Sequence, residues 1–274
     1  MTKFKNVRSA IRLVLLTLLS VVYLVPVIMM VLGSFKDQAE ASQFDLSLPA
    51  KFLFENYVYV FERGNILSGY WNSFLTTGMA TVFVLLFGSL TGIYVGRSKT
   101  RLSEGVYNYF IIGLMLCFQT ATTFSLLSIL KLYGTSIGVS LIYTAMQLPF
   151  TVMTFSSFIK GIPREIDEAG FIDGCNAINL IFRVLLPVMK PIFVTNLIIV
   201  AINCWNNFMI PLFYLNSSTK WTIPLMVYNF YGRYERNWNY VFAILVITIL
   251  PIVILYLCLQ KHIVEGMTSG AVKG

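Results

Sequence analysis

The chain has 274 residues, of which 57% are hydrophobic and only 12% charged. A soluble domain carries about 25% charged residues, so this composition excludes a water-exposed fold and makes the bilayer the solvent. The net charge of +8 belongs in such a protein to cytoplasmic loops, so lipid is an implied partner and nucleic acid is not.

Six charge-free stretches follow in chain order: Leu13–Phe35, Trp71–Gly96, Gly105–Leu130, Leu132–Ile159, Pro191–Thr219 and Asn237–Gln260. Each exceeds the roughly 20 residues a helix needs to cross the hydrocarbon core. Lipid cannot satisfy free backbone groups, so spans are helices or closed barrels. The period-two alternation of barrel strands is missing. The expectation is an all-α membrane protein with six transmembrane helices, forming a single transmembrane domain over residues 1–274.

Lys3, Lys5, Arg8 and Arg12 precede the first stretch, as in a signal peptide. Its apolar part is too long for one, and Gly33-Ser34-Phe35-Lys36 is a poor cleavage site, so the stretch is read as a retained span. Six spans put both termini on one side. With the N-terminus inside, 13 Lys and Arg residues fall in inner segments and 7 in outer loops. That bias predicts cytoplasmic termini, in a multi-pass protein of the cytoplasmic membrane. The third and fourth stretches are separated only by Lys131 and the polar patch Tyr133-Gly134-Thr135-Ser136. Pro26, Pro149, Pro211 and Pro251 punctuate the apolar runs, where proline frees a carbonyl and tends to kink a helix.

No stretch contains an acid or a base, which argues against a proton relay. Gln119, Gln147, Asn203, Asn206 and Asn207 are polar at membrane depth. Two readings stay open: interhelical hydrogen bonds, or lining of a translocation path or gate, with Trp205 beside them. Amides and aromatics suit the hydroxyls and apolar faces of a sugar. Cys117, Cys175, Cys204 and Cys258 form no metal or redox motif and read as packing residues. His262, just past an apolar run, reads as interfacial.

The segment Lys160–Lys190 is the polar exception on the inner side. Pro163 suits the first helical position, and Glu165, Asp167 and Glu168 then occupy the first turn, where the helix dipole favours negative charge. Gly174 suits a left-handed cap after Asp173, and a second short helix begins near Asn176. Ile162, Ile166, Ala169 and Ile172 or Phe171 are spaced to share one apolar face. Such a loop either lies on the bilayer or docks a protein, and its acidic start fits the protein better.

The run Glu168-Ala169-Gly170, Asp173-Gly174, nine residues, then Val184-Leu185-Leu186-Pro187 resembles the EAA loop of ATP-binding-cassette importer permeases. Glu168, Ala169, Gly174, Leu186 and Pro187 match at the motif's spacing. Gly170 replaces an alanine, which costs a helix up to about 1 kcal/mol, and Val184 replaces an isoleucine. Trp205-Asn206-Asn207-Phe208 with Pro211-Leu212, Asn72-Ser73, Leu148-Pro149-Phe150, Gly33-Ser34-Phe35-Lys36 and the tail Gly270-Ala271-Val272-Lys273-Gly274 extend the likeness. Together they resemble the smaller permease of maltose-type, oligosaccharide-class importers.

That resemblance implies the type I importer permease fold and a set of partners. These are a second homologous permease, two cytoplasmic ATPases and an external solute-binding protein. The loop residues Glu168, Ala169, Gly170, Asp173, Gly174, Leu186 and Pro187 would couple to an ATPase, and Gly270, Lys273 and Gly274 would reach between the ATPases. No cofactor is expected on this chain. A phosphate-binding loop needs Gly-Lys, a dipeptide absent here, so ATP and Mg would be bound by the partner. Import of another solute such as a glycerol phosphate is the nearer alternative. A secondary transporter or a membrane-embedded enzyme is the remoter one.

Overall fold

The structure is a computed structural model that describes residues 2–116, 118–231 and 237–271. Its helices are α1 (Thr2–Gly33), α2 (Gln38–Ala41), α3 (Glu55–Arg63), α4 (Ile66–Arg97), α5 (Arg101–Met115), α6 (Thr120–Ile129), α7 (Ser136–Lys160) and α8 (Glu165–Ile172). They continue with α9 (Ala177–Val188), α10 (Lys190–Trp205), α11 (Met209–Tyr214) and α12 (Trp238–Ala271). Among the described residues four helices, α1, α4, α7 and α12, are long and apolar enough to cross a membrane. The count is six if the bent pairs α5 with α6 and α9 with α10 are each one span.

The third expected span, Gly105–Leu130, is therefore not one straight helix. It divides into α5 and α6, bent by 120°. The polar run that opens α6 explains the break. Gln119 is extended, and Thr122 and Thr123 donate their hydroxyls back to its carbonyl at 3.2 and 2.8 Å. Such local bonds compete with helix continuation. The fifth expected span, Pro191–Thr219, stops as a helix at Trp205 and restarts at Met209. Asn207 Oδ1 accepts the Ile210 N–H at 2.9 Å, a side-chain cap, and Pro211 follows in the new first turn. The last helix passes Gln260 and runs to Ala271. Cys117, Arg233, Arg236, Lys273 and Gly274 lie outside the described residues, as does the side chain of His262.

The chain forms two compact units, each discontinuous in sequence. The first holds residues Met1–Leu67 and Ile223–Leu250. The loop that follows α1 is built around a lysine. Lys36 is 1% exposed, and its ammonium donates to Asp45 Oδ1 at 2.5 Å and to Ser47 Oγ at 3.0 Å. A hydrogen bond from Lys36, and then one from Ser47, hold the Asp45 carboxyl below its ordinary 3.8. Asn56 Nδ2 donates to the carbonyls of Ser34 and Lys36, both at 2.9 Å, and Asn56 Oδ1 accepts from Asn239 at 3.0 Å. Phe35 packs against Phe52, Phe54 and Tyr57. The apolar window of α1 is different: 0% of it is buried.

The second unit holds residues Ser68–Thr222 and Pro251–Gly274. Its spine is the contact of α4 with α7. Gly88, Gly92 and Gly96 line one face of α4 and meet Thr151, Phe155 and Ile159 of α7. A β-carbon added at Gly92 would lie 2.5 Å from Phe155 Cβ and 3.1 Å from the Ser156 backbone N. Small residues are how membrane helices approach closely when lipid offers no competing hydrophobic drive. Beyond the glycine stripe, Ser140 Oγ donates to the Thr76 carbonyl at 3.0 Å. Asn196 of α10 accepts from Thr154 of α7 at 2.9 Å.

Candidate coupling site and membrane path

The loop that follows α7 is held to the helix ends by Arg97, the last residue of α4. Its Nε lies 2.8 Å from Asp167 Oδ2. Nη2 donates to Asp167 Oδ1 at 3.1 Å, and Nη1 donates to the Ile162 carbonyl at 2.9 Å. Arg164 donates to the Arg97 carbonyl at 2.9 Å. The paired side chains are 15% and 17% exposed, so water screens them little. Sequence reasoning placed Asp167 in the first turn of α8 but found no partner for it. No residue pattern links the two, which lie 70 positions apart.

α8 starts at Glu165 with Arg164 as its cap residue, so Pro163 precedes the helix rather than opening it. Its far end closes as predicted. Gly174 has φ +81°, its N–H donates to the Phe171 carbonyl at 3.0 Å, and the Cys175 N–H donates to the Gly170 carbonyl at 2.9 Å. Those two bonds are the Schellman pattern. Asn176 then caps α9 by accepting the Asn179 N–H at 2.8 Å. Within α9 the turn Leu180–Leu185 is π-helical.

The motif residues separate by face. Gly170 is buried, and a β-carbon there would lie 2.6 Å from Leu180 Cδ1. The departure from alanine thus gives α9 room to pack. Leu180, Leu185 and Met189 are buried against Ile93, Phe155 and Ile159, with Leu186 half-buried beside them. Glu168, Ala169, Asp173, Gly174 and Pro187 are exposed. The single apolar face expected for Ile162, Ile166, Ala169 and Ile172 is corrected accordingly. The first two are half-buried, while Ala169 is exposed and Ile172 is 86% exposed. The helix turns the Gly170 side to the bundle, and that rotation carries Ala169 and Ile172 outward. Phe171 at 55% and Ile178 at 66% exposure complete an outward apolar patch among carboxylates.

The expected path residues lie at the break between α10 and α11. Trp205 is 4% exposed, with its ring 5.0 Å from Phe74 and 6.2 Å from Tyr70. It is packed. Asn206 is exposed and ends α10, its backbone N–H donating to the Ile202 carbonyl at 3.0 Å. Asn207 caps α11. Exposed Asn203 donates to Gln147 Oε1 of α7 at 3.2 Å. The two broken spans are joined: Tyr214 of α11 donates its hydroxyl to the Thr120 carbonyl of α6 at 2.8 Å. A cavity of about 480 Å³ beside the break between α5 and α6 is lined by Gln119, Thr123 and apolar neighbours such as Phe118, Leu127 and Met146. Non-helical backbone at membrane depth is tolerated where it lines a cavity or is covered by protein.

Bent spans, amides at the bends and a folded polar loop with an uncovered face define a multi-pass membrane permease. Residues 88–269 match the family described as the binding-protein-dependent transport system inner membrane component, and the chain belongs to that family. The chain is 32% identical to the multiple sugar-binding transport system permease protein MsmG of Streptococcus mutans, covering 100% of both chains. It is 31% identical to the arabinooligosaccharides transport system permease protein AraQ of Bacillus subtilis, over 94% of this chain and 93% of that one. The fold is that of a chain in a bacterial transporter that imports the acidic polysaccharide alginate, with TM-score 0.80, 20% identity, and 93% and 96% of the two chains covered. A methionine transporter chain matches with TM-score 0.55 and 17% identity over 73% of this chain and 95% of that one. The family is one of transport permeases, so the chain is not an enzyme.

Proposed function

We propose that this chain is one of two permease subunits of an ATP-driven importer of oligosaccharides, coupled to a separate ATPase through α8. The carrying observation is the outward patch of Phe171, Ile172 and Ile178 around Glu168, Ala169 and Gly174. A folded loop in water leaves bulky apolar residues uncovered where another protein covers them. The small residues Ala169 and Gly174 let a partner approach the backbone, and Glu168 offers a carboxylate for a basic side chain. Because Arg97 and the Leu180–Met189 packing hold the loop, a push on α8 passes directly to α4, α7 and α10.

The oligosaccharide class rests on the relatives named for sugars, and import of another solute by the same architecture is the alternative. A solute-binding protein outside and two ATPases inside complete the assembly, with both termini of this chain in the cytoplasm. ATP and Mg belong to the ATPases. By the likeness of its sequence, the tail supplies Gly270, Lys273 and Gly274 as contacts to them. The bare α1 offers a surface to the second permease. Asn203, Asn206 and Asn207 face the solute path at the broken fifth span, with Trp205 as the packed wall behind them.

The test is Gly174→Asp. A residue with a β-carbon at φ +81° costs on the order of 1–2 kcal/mol and distorts the turn beneath the docking face. The expected result is a permease present in the membrane at normal level that co-purifies poorly with its ATPase and does not take up solute. Normal co-purification with normal uptake sinks the coupling role.

A further inference from the structure

A polar pocket of about 730 Å³ opens beside the coupling loop. It lies where α4 ends, α5 begins and α7 ends, so its walls are the charged residues that bound three spans. Four cations line it, Arg97, Lys99, Lys160 and Arg164, with two carboxylates, Glu104 and Glu165. Arg97 is already engaged with Asp167. Three cations and two carboxylates therefore remain around the opening, all exposed. Lys160 is held over the Tyr107 ring, 4.7 Å from its centroid. The hydroxyl of Ser103 is committed to the carbonyls of Ser98 and Thr100.

We infer that this pocket holds the headgroup of an aminophospholipid, with its phosphate among Lys99, Lys160 and Arg164 and its ammonium at Glu104 and Glu165. Basic pockets between membrane helices at the cytoplasmic face take phosphate headgroups. The two carboxylates add a requirement that a purely anionic headgroup meets with repulsion. They also favour an N–H donor over a quaternary amine, which has no proton to give. The depth is right for a lipid: charge begins at Arg97, Arg101 and Lys160, where the apolar helices stop. Below the pocket, Tyr107, Ile111 and Leu114 continue the same face of α5 at helical spacing, the first two half-buried and Leu114 44% exposed. That strip gives an acyl chain a track into the bilayer. Arg164 lines the pocket, precedes α8 as its cap residue and bonds to the Arg97 carbonyl at the end of α4. The occupant thus sits at the base of the coupling helix.

The inner-face assignment rests on the proposed function, but lipid binding itself is measured without ATPase or transport. The purified transporter is exposed to equal phosphatidylethanolamine, phosphatidylglycerol and phosphatidylcholine, and retained lipid is read by native mass spectrometry. Preferential retention of phosphatidylethanolamine is expected. Lys99→Gln with Lys160→Gln should weaken it roughly thirtyfold, at about 1 kcal/mol per lysine, while Lys51→Gln on the outer loop leaves it unchanged. Glu104→Gln with Glu165→Gln should keep a bound phospholipid but shift preference to phosphatidylglycerol. Equal retention of all three lipids, or unchanged retention in the double lysine variant, overturns the site. Displacement of the lipid by millimolar inorganic phosphate assigns the pocket to a free anion and overturns the lipid reading. An intact lipid preference with failed ATPase coupling would refute only the proposed function.

Discussion

Asp167 differs from its neighbours Glu165 and Glu168 in direction. It turns inward to Arg97 and makes two contacts there, whereas the other two are exposed. Asp167→Asn removes the charge from a partly covered pair and leaves Arg97 facing a neutral amide. Hydrogen bonds to charged groups contribute about 1.5–3 kcal/mol, so the loop should loosen by about that amount. Faster proteolysis within Lys160–Lys190, at unchanged membrane level, is the expected reading. Unchanged cleavage would show that α8 is held by apolar packing alone. The left-handed Gly174 was legible from the sequence because one residue type serves that conformation. The Arg97 contact was not, because it joins residues 70 positions apart, and residue pattern carries no distance. No sequence pattern marked Lys36 as buried. Its burial depends on Asp45 and Ser47 folding back over it, a loop conformation with no local periodicity.

At the scale of elements, the contact of α4 with α7 decides where the loop Lys160–Lys190 sits. Gly92 meets the backbone of Ser156 as well as Phe155, so a side chain there cannot be absorbed by a rotamer change. Gly92→Val is expected to cost about 1–3 kcal/mol through overpacking, seen as a lower unfolding temperature of the purified protein. Gly105 lies in α5 with nothing within 4 Å of an added β-carbon. Gly105→Ala should therefore be neutral or stabilising by up to about 1 kcal/mol. Equal effects of the two changes would refute close approach as the reason for Gly92. Span positions were readable because the absence of charge marks membrane depth. The breaks inside spans three and five were not. Gln119 and Asn206-Asn207 were noticed as polar, but an amide at membrane depth serves equally to bridge two helices or to end one. Their neighbours decide: the hydroxyls of Thr122 and Thr123 in one case, Asn207 and Pro211 in the other.

At the scale of the molecule, orientation follows from the distribution of Lys and Arg. Cysteines introduced near Gln43 and near Asn176, both exposed positions, should respond oppositely to a membrane-impermeant reagent added outside intact cells. Gln43 should be labelled and Asn176 spared, in a background lacking the native cysteines. The reverse pattern would invert the topology and move the coupling patch to the wrong face.

The unburied α1 bears on how the protein is made. Its apolar window gains no cover from the spans that follow it, while the windows of α4, α7 and α12 are 44%, 50% and 33% buried. Lipid solvates such a helix without penalty, so its hold within this chain is at its C-terminal end, where Gly33 meets Phe242. Completion of synthesis is then not completion of folding. With the proposed second permease as its cover, the last step is bimolecular and follows the supply of that subunit. A copy made in excess would keep an uncovered helix, a mark by which membrane proteases can tell an unassembled subunit from a working one.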